Sequence, residues 1–171
     1  MATIYLFSGP CGCGKSTLAS ELARRLPQQA YLIQGDTFHA GFAEPKDAAV
    51  PRIAWEDILR FNWDCIIDVA RKALTLGMNV FIDYVVEDEL PRVQALAADL
   101  GAELHYIVLT ASEDTLRSRL AQRGDAWLTE RSLFLKAKLE GMTENQGHIL
   151  DITGMSIEEE IAKIIQQDFR I

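Results

Sequence analysis

The chain has 171 residues, with 17 Lys and Arg against 25 Asp and Glu, for a formal net charge of −8. That length suits one domain, spanning residues 1–171, and excludes two full ones, while a composition 49% hydrophobic and 25% charged excludes a disordered chain. The acidic balance argues against a surface built to coat a nucleic-acid backbone, which needs an excess of Lys and Arg, but allows a small anionic ligand in a locally positive pocket.

Residues 3–8 (TIYLFS) are a short apolar, β-favouring run that stops at Gly9-Pro10, the pattern of a fully buried strand. A helix is predicted from about Lys15 to Leu26, with Leu18, Leu22 and Leu26 on one face and Pro27 as its stop. Residues 30–35 (AYLIQG) are a second strand, ending at Asp36. Residues 37–51, with Gly41, Pro45 and Pro51, read as a loop. A long helical region follows from about 52 to 76, with room for one break, and Gly77 as its C-cap.

Residues 79–84 (NVFIDY) are a third strand. Pro91 opens a helix that ends at Gly101, and residues 103–109 (ELHYIVL) are a fourth strand. Ser112-Glu113-Asp114 starts a helix to about Arg123, and residues 127–143 are helical again. Residues 147–152 (GHILDI) are a fifth, short strand, and Ser156 caps a last helix with Glu158, Glu159 and Glu160 in its first turn, where the helix dipole favours acids.

Strands alternating with helices predict an α/β domain: a parallel sheet with helices on both faces. Ligands of such sheets bind at the carboxyl ends of the strands, so functional residues should sit just after residues 8, 35, 83, 109 and 152. Cys11, Cys13 and Cys65 form an odd set without repeated spacing, which points away from a disulfide framework and toward a cytoplasmic location. No stretch reaches eighteen apolar residues, and the N-terminus lacks a basic region, so neither a membrane span nor a signal peptide is expected.

Directly after the first strand comes Gly9-Pro10-Cys11-Gly12-Cys13-Gly14-Lys15-Ser16-Thr17, which fits G-x-x-x-x-G-K-[ST], the P-loop pattern. Its glycines let backbone N–H groups turn inward onto phosphate oxygens, and the helix that follows adds unpaired amides and the positive end of its dipole. Lys15 is placed to reach the β- and γ-phosphates, and the Ser16 hydroxyl to ligate Mg²⁺. At average glycine usage of about 7%, a chance match in a chain this long is on the order of one in a hundred. Cys11 and Cys13 read as small residues fitted to the loop, although a helix N-terminus also lowers thiol pKa values. Cys65 reads as a core residue of the long helix.

P-loops serve GTPases, motors, ATPases and kinases. No N-K-x-D guanine motif is present, motors and oligomeric ATPases usually need longer chains, and a small kinase fits 171 residues. Two acids satisfy the strand-end rule. Asp83 closes Val80-Phe81-Ile82-Asp83, an apolar run then Asp, as in a Walker B strand whose acid holds Mg²⁺. Asp36 is placed to orient the attacking hydroxyl and accept its proton. The two roles are interchangeable on sequence position alone. Tyr84, next to Asp83, is a substrate candidate.

These segments, with Leu116-Arg117-Ser118-Arg119-Leu120-Ala121-Gln122-Arg123-Gly124-Asp125 and His148-Ile149-Leu150-Asp151-Ile152-Thr153-Gly154, together resemble the small P-loop kinases, in particular gluconate kinase, shikimate kinase, chloramphenicol phosphotransferase and zeta-toxin-like proteins. The resemblance spans nearly the whole chain. It implies a five-stranded parallel sheet of order 2-3-1-4-5, with ATP and Mg²⁺ as cofactors and a mobile lid at about 123–132. It also implies that Arg123 stacks on adenine or contacts phosphates, that Arg119 approaches the γ-phosphate, and that the backbone at Thr153 lines the adenine pocket. The alternative for Arg119 and Arg123, four residues apart, is a solvated helix face.

Residues 37–60 should form the acceptor side, with His39, Phe42, Lys46, Arg52, Trp55 and Arg60 as candidates. Arg52 is the first choice for holding a carboxylate. Gly35-Asp36-Thr37-Phe38-His39 resembles the Gly-Asp-x-x-His strand end of gluconate kinase, which makes a sugar acid the leading acceptor. Gln34 stands where shikimate kinase has the first acid of Asp-x-Asp, and no His-Phe follows Arg123. The expected activity is ATP-dependent phosphorylation of a small-molecule hydroxyl by a monomer or homodimer, with no nucleic-acid or membrane partner. The alternatives are a nucleoside or nucleotide kinase, drawing on Phe38, Trp55 and Arg60, and a non-catalytic ATP-binding regulator.

Overall fold

A computed structural model describes residues 2–43, 46, 47, 49 and 52–171. Alternation along the strands builds two cores. In β1 (Thr3–Ser8), Ile4 and Leu6 point to one side and Phe7 to the other, all fully buried. β3 (Asn79–Asp83) repeats this with Val80 and Ile82 against Phe81, and β4 (Glu103–Thr110) with Leu104, Tyr106 and Val108 against Ile107 and Leu109. Both faces of these strands are covered, as parallel sheets require.

With β2 (Ala30–Gln34) and β5 (Ile149–Asp151), the strands form one parallel sheet in the order β2-β3-β1-β4-β5. The expected order 2-3-1-4-5 is therefore the observed one. On one face, α3 (Trp55–Thr75) brings Trp63, Ile66 and Ala70, and α4 (Leu90–Leu100) brings Val93 and Leu96. On the other, α1 (Lys15–Arg25) brings Leu18 and Leu22, and α7 (Ile157–Gln166) brings Ile161 and Ile164. Ser156 and Glu159 close a reciprocal capping box at the start of α7.

Several elements differ from expectation. Residues 37–51 were expected as loop, yet Asp36–His39 form a short helix, α2. The Thr37 hydroxyl donates to the Gln34 carbonyl at 2.7 Å and ties that turn to the end of β2. Four residues are too few to show a helical period. Glu44, Pro45, Ala48, Val50 and Pro51 lie outside the described residues. α3 starts at Trp55 and is unbroken, and Cys65 on it is half-buried rather than core. Region 127–143 divides into a 3-10 turn (Ala126–Leu128), helix α6 (Thr129–Gly141) and a further 3-10 turn (Thr143–Asn145). The break falls at Met142, whose backbone is extended, while buried Asn145 donates from Nδ2 to the Leu139 carbonyl at 2.9 Å. α5 (Glu113–Gln122) starts at the expected Ser112 cap. Among the described residues, no helix is long and apolar enough to cross a membrane.

Candidate active site

β1 ends at Ser8, and the chain turns through residues 9–14 into α1. Gly12 (φ +82°) and Gly14 (φ +101°) take left-handed conformations that side-chain-bearing residues rarely adopt. Lys15 reaches back over the loop, and its Nζ donates to the Gly9 carbonyl at 2.9 Å and the Pro10 carbonyl at 3.0 Å. Burial opposes the charge on this ammonium, but the acids around it, Asp83 and Asp36 among them, outweigh that penalty and its pKa is raised. Lys15 is a firmly charged cation at the loop.

Cys13 is fully buried, and burial pushes its thiol pKa up despite Lys15 and the helix start. Desolvation wins over the helix dipole there, so Cys13 behaves as a small apolar side chain. Asp83 is 7% exposed and accepts a hydrogen bond from the Ser16 side chain. Burial also raises its pKa, against the lowering effect of Lys15 and Ser16. In register, Asp83 lies opposite Phe7 of β1 and Gln34 of β2, so the loop, Asp36 and Asp83 meet at one carboxyl edge.

A cavity brings together Cys11, Gly12, Gly14, Lys15, Ser16 and Thr17 with Asp36, Asp83, Tyr84 and Arg123. A neighbouring cavity of about 330 Å³ is walled by Trp55, Leu59, Trp63, Trp127, Leu128 and Leu135, and it carries His39, Glu87, Glu89 and Arg131. Cys11, Asp36, Tyr84, Val85 and Leu128 border both. Asp83 borders only the first. On another side of the loop, Gly12, Gly14 and Thr17 share a third cavity with Arg119, Arg123, Met155, Ile157 and Glu160.

The remaining expected site residues lie around this centre. Gly9 packs on the end of β4, where an added Cβ would stand 2.5 Å from the Leu109 carbonyl oxygen. Arg119 donates from Nη1 to the Cys13 carbonyl at 3.0 Å, bracing the loop from the third cavity. Arg123 is exposed, pairs with Asp125 at 2.9 Å and borders both the phosphate cavity and the third one. His39 sits edge-on to Trp55 with ring centroids 5.1 Å apart. Arg52 and Thr153 do not line these cavities. The Thr153 hydroxyl donates to Asp151 Oδ1 and accepts from the Ser112 N–H, each at 2.7 Å, which makes it a connector between β5 and α5.

Several residues at the site carried no motif. Glu87 accepts from Arg131 at 2.6 Å and Lys138 at 2.7 Å, fastening α6 to the segment after β3. These partners, with burial opposing them, hold its carboxyl below the usual range. Ser132, fully buried on α6, donates to the Cys11 carbonyl at 2.7 Å. Trp127 is 78% exposed on the expected lid segment. Glu160, expected to serve the dipole of α7, is buried beside Arg119. Nearness to the third strand end was the one sequence signal for Glu87.

The donor set fits Mg²⁺. Among the described residues no three His, Cys, Asp or Glu side chains cluster to hold a metal by themselves. Mg²⁺ does not ask for such a cage, since it keeps waters and takes one or two protein oxygens plus phosphates. The Ser16 hydroxyl and the desolvated Asp83 carboxylate, already in contact, are such oxygens.

Sheet order, loop and strand-end acids define a P-loop NTPase fold. The profile of the AAA domain family matches residues 4–148, and the chain belongs to that family. No curated protein matches the chain. Among solved structures, the tunicamycin resistance protein of Deinococcus radiodurans is similar with a TM-score of 0.67 at 19% identity, covering 97% of this chain and 95% of its own. The APS kinase CysC of Mycobacterium tuberculosis, in complex with AMPPNP and APS, gives 0.63 at 20%, covering 96% of each chain. A gluconokinase from Sinorhizobium meliloti 1021 gives 0.60 at 16%, covering 96% of this chain and 90% of its own. At these identities the likeness is one of fold.

Proposed function

We propose that the protein is an ATP-dependent, Mg²⁺-requiring phosphotransferase that phosphorylates a hydroxyl of a small molecule in the cytoplasm. The observation that carries this reading is the position of Asp36, which borders both the phosphate cavity and the apolar cavity beside it. A base at that junction can reach a hydroxyl presented to the terminal phosphate. Kinases among the structural neighbours support the same reading.

The residues divide the work by charge and position. Loop amides, Lys15 and Arg123 face the terminal phosphates and neutralise charge as it shifts. Ser16 and Asp83 would hold Mg²⁺, which when bound supplies further neutralisation. Asp36 aligns the acceptor hydroxyl and takes its proton. The acceptor oxygen then bonds to the γ-phosphorus as the bond to the β–γ bridging oxygen breaks, leaving ADP. Trp127 and Leu128, on the segment between α5 and α6, are placed to exclude water that would compete as acceptor.

The Gly35-Asp36-x-x-His39 spacing supports a sugar acid as acceptor, whereas the cavity lining favours an uncharged or cationic one. A nucleoside kinase is the second reading, favoured by the indoles of Trp55 and Trp127 as stacking surfaces. A screen of sugars, sugar acids, nucleosides and aminocyclitols with γ-labelled ATP·Mg²⁺ tests the proposal. Label transfer to a hydroxyl compound is expected. ATP binding with transfer to none of these classes would replace the enzyme reading with a non-catalytic regulator.

A further inference from the structure

We propose that the acceptor is an uncharged or cationic hydroxyl compound with a flat apolar face, and that the site rejects anionic acceptors, sugar acids included. This inference rests on the phosphotransferase reading. Its first support is the shape and chemistry of the walls. Trp55 and Trp127 present indoles to one cavity, whose lining also holds Leu59, Leu128, Leu135 and the buried Trp63. Trp55 and Trp127 are 53% and 78% exposed, so large apolar surfaces stand open at the cavity. Indole faces bind flat apolar surfaces and cations, because the ring face carries negative potential. A small polyhydroxylated acid offers neither.

Charge is the second support. The described lining holds three acids, Asp36, Glu87 and Glu89, against one cation, Arg131, so 1 − 3 = −2 without counting His39. Arg131 is already paired with Glu87 at 2.6 Å, and Glu87 holds Lys138 as well. An acceptor carboxylate would have to draw Arg131 away from a half-buried Glu87 or enter a net negative cavity next to Asp36. Either course discriminates against it, since a like charge facing a partly desolvated acid is unfavourable. Arg52, the sequence candidate for holding such a carboxylate, does not line the cavity.

Matched probes test this directly: phenyl glucoside against phenyl glucuronide, and glucose against gluconate, with phenyl glucosaminide as the cationic member. Each is assayed for label transfer from γ-labelled ATP·Mg²⁺ and, separately, for quenching of tryptophan fluorescence. The expected result is quenching by the neutral and cationic aryl probes, with kcat/KM at least about tenfold above the glucuronide and gluconate. Glu87→Gln, which frees Arg131, should narrow that ratio about tenfold. Equal or preferred use of the anions, or no quenching by any aryl probe, would overturn the acceptor class. Quenching by neutral aryl probes without label transfer to any compound would uphold the class and overturn the phosphotransferase reading.

Discussion

The ring of Tyr84 lies where a side chain at position 35 would be: a Cβ on Gly35 would stand 2.3 Å from Tyr84 Cδ2 and 2.4 Å from Cγ. The Gly35 N–H also donates to the Asp83 carbonyl at 3.0 Å, and the Tyr84 hydroxyl accepts from Asn62 Nδ2 at 2.9 Å. Glycine thus lets β2 close onto the end of β3, which fixes Asp36 relative to Asp83. Gly35→Ala should cost about 1–3 kcal/mol through overpacking. At about 2–4 °C per kcal/mol, a thermal melt reads that loss. The shift should reach Asp36 more than the P-loop, so kcat falls while ATP affinity holds.

Asp83 carries a stability signature. Its carboxyl is desolvated and its folded-state pKa lies above the ordinary 3.8. Between the unfolded and folded values the native state holds more protons, so stability falls as pH rises through that window. Asp83→Asn should remove this pH dependence and raise the melting temperature of the free protein at pH 7. The same variant should lose Mg²⁺-dependent transfer by roughly 10²-fold or more. Unchanged stability at pH 7 would show that the carboxylate is well solvated, against its burial.

Lys15 is held by two loop carbonyls and stays charged. Lys15→Ala should cut ATP turnover by roughly 10²–10³-fold and weaken ATP binding, with little change in the circular dichroism spectrum. Turnover kept near the wild-type rate would remove the P-loop from the chemistry.

Ser132 is the direct tie between α6 and the P-loop. Ser132→Ala leaves the Cys11 carbonyl without that donor and should cost about 1 kcal/mol. Amide hydrogen exchange within Thr129–Gly141 should quicken, and acceptor KM should rise more than ATP KM. Uniform quickening across the sheet would instead mark a general loss of stability.

Much of this arrangement was legible because its signals are local. The apolar runs at 3–8 and 79–84 mark buried strands, and Gly9 to Thr17 carries its own turn and helix start. Strand order was a different matter, since it came from the resemblance rather than from any periodicity. Signals that depend on distant packing were silent. Glu87 gains its role only when Arg131 and Lys138 arrive on α6. The apolar cavity joins His39, Trp55, Trp63 and Tyr84 to Trp127 and Leu135, residues spread over nearly a hundred positions. For Cys13, position at a helix start points to a lowered thiol pKa, and burial reverses the direction. Thr153 sits at a strand end as the filter required, yet its hydroxyl is used up by Asp151 and Ser112.

On the proposed mechanism Asp36 serves the acceptor and not the nucleotide. That role is tested by measuring ATP dissociation constant and γ-phosphoryl transfer rate side by side for the wild type and Asp36→Asn. The expected outcome is an ATP affinity within about twofold of wild type and a transfer rate lower by roughly 10²–10⁴-fold. A variant that transfers phosphate at the wild-type rate, or that loses ATP binding and transfer in equal measure, would contradict it.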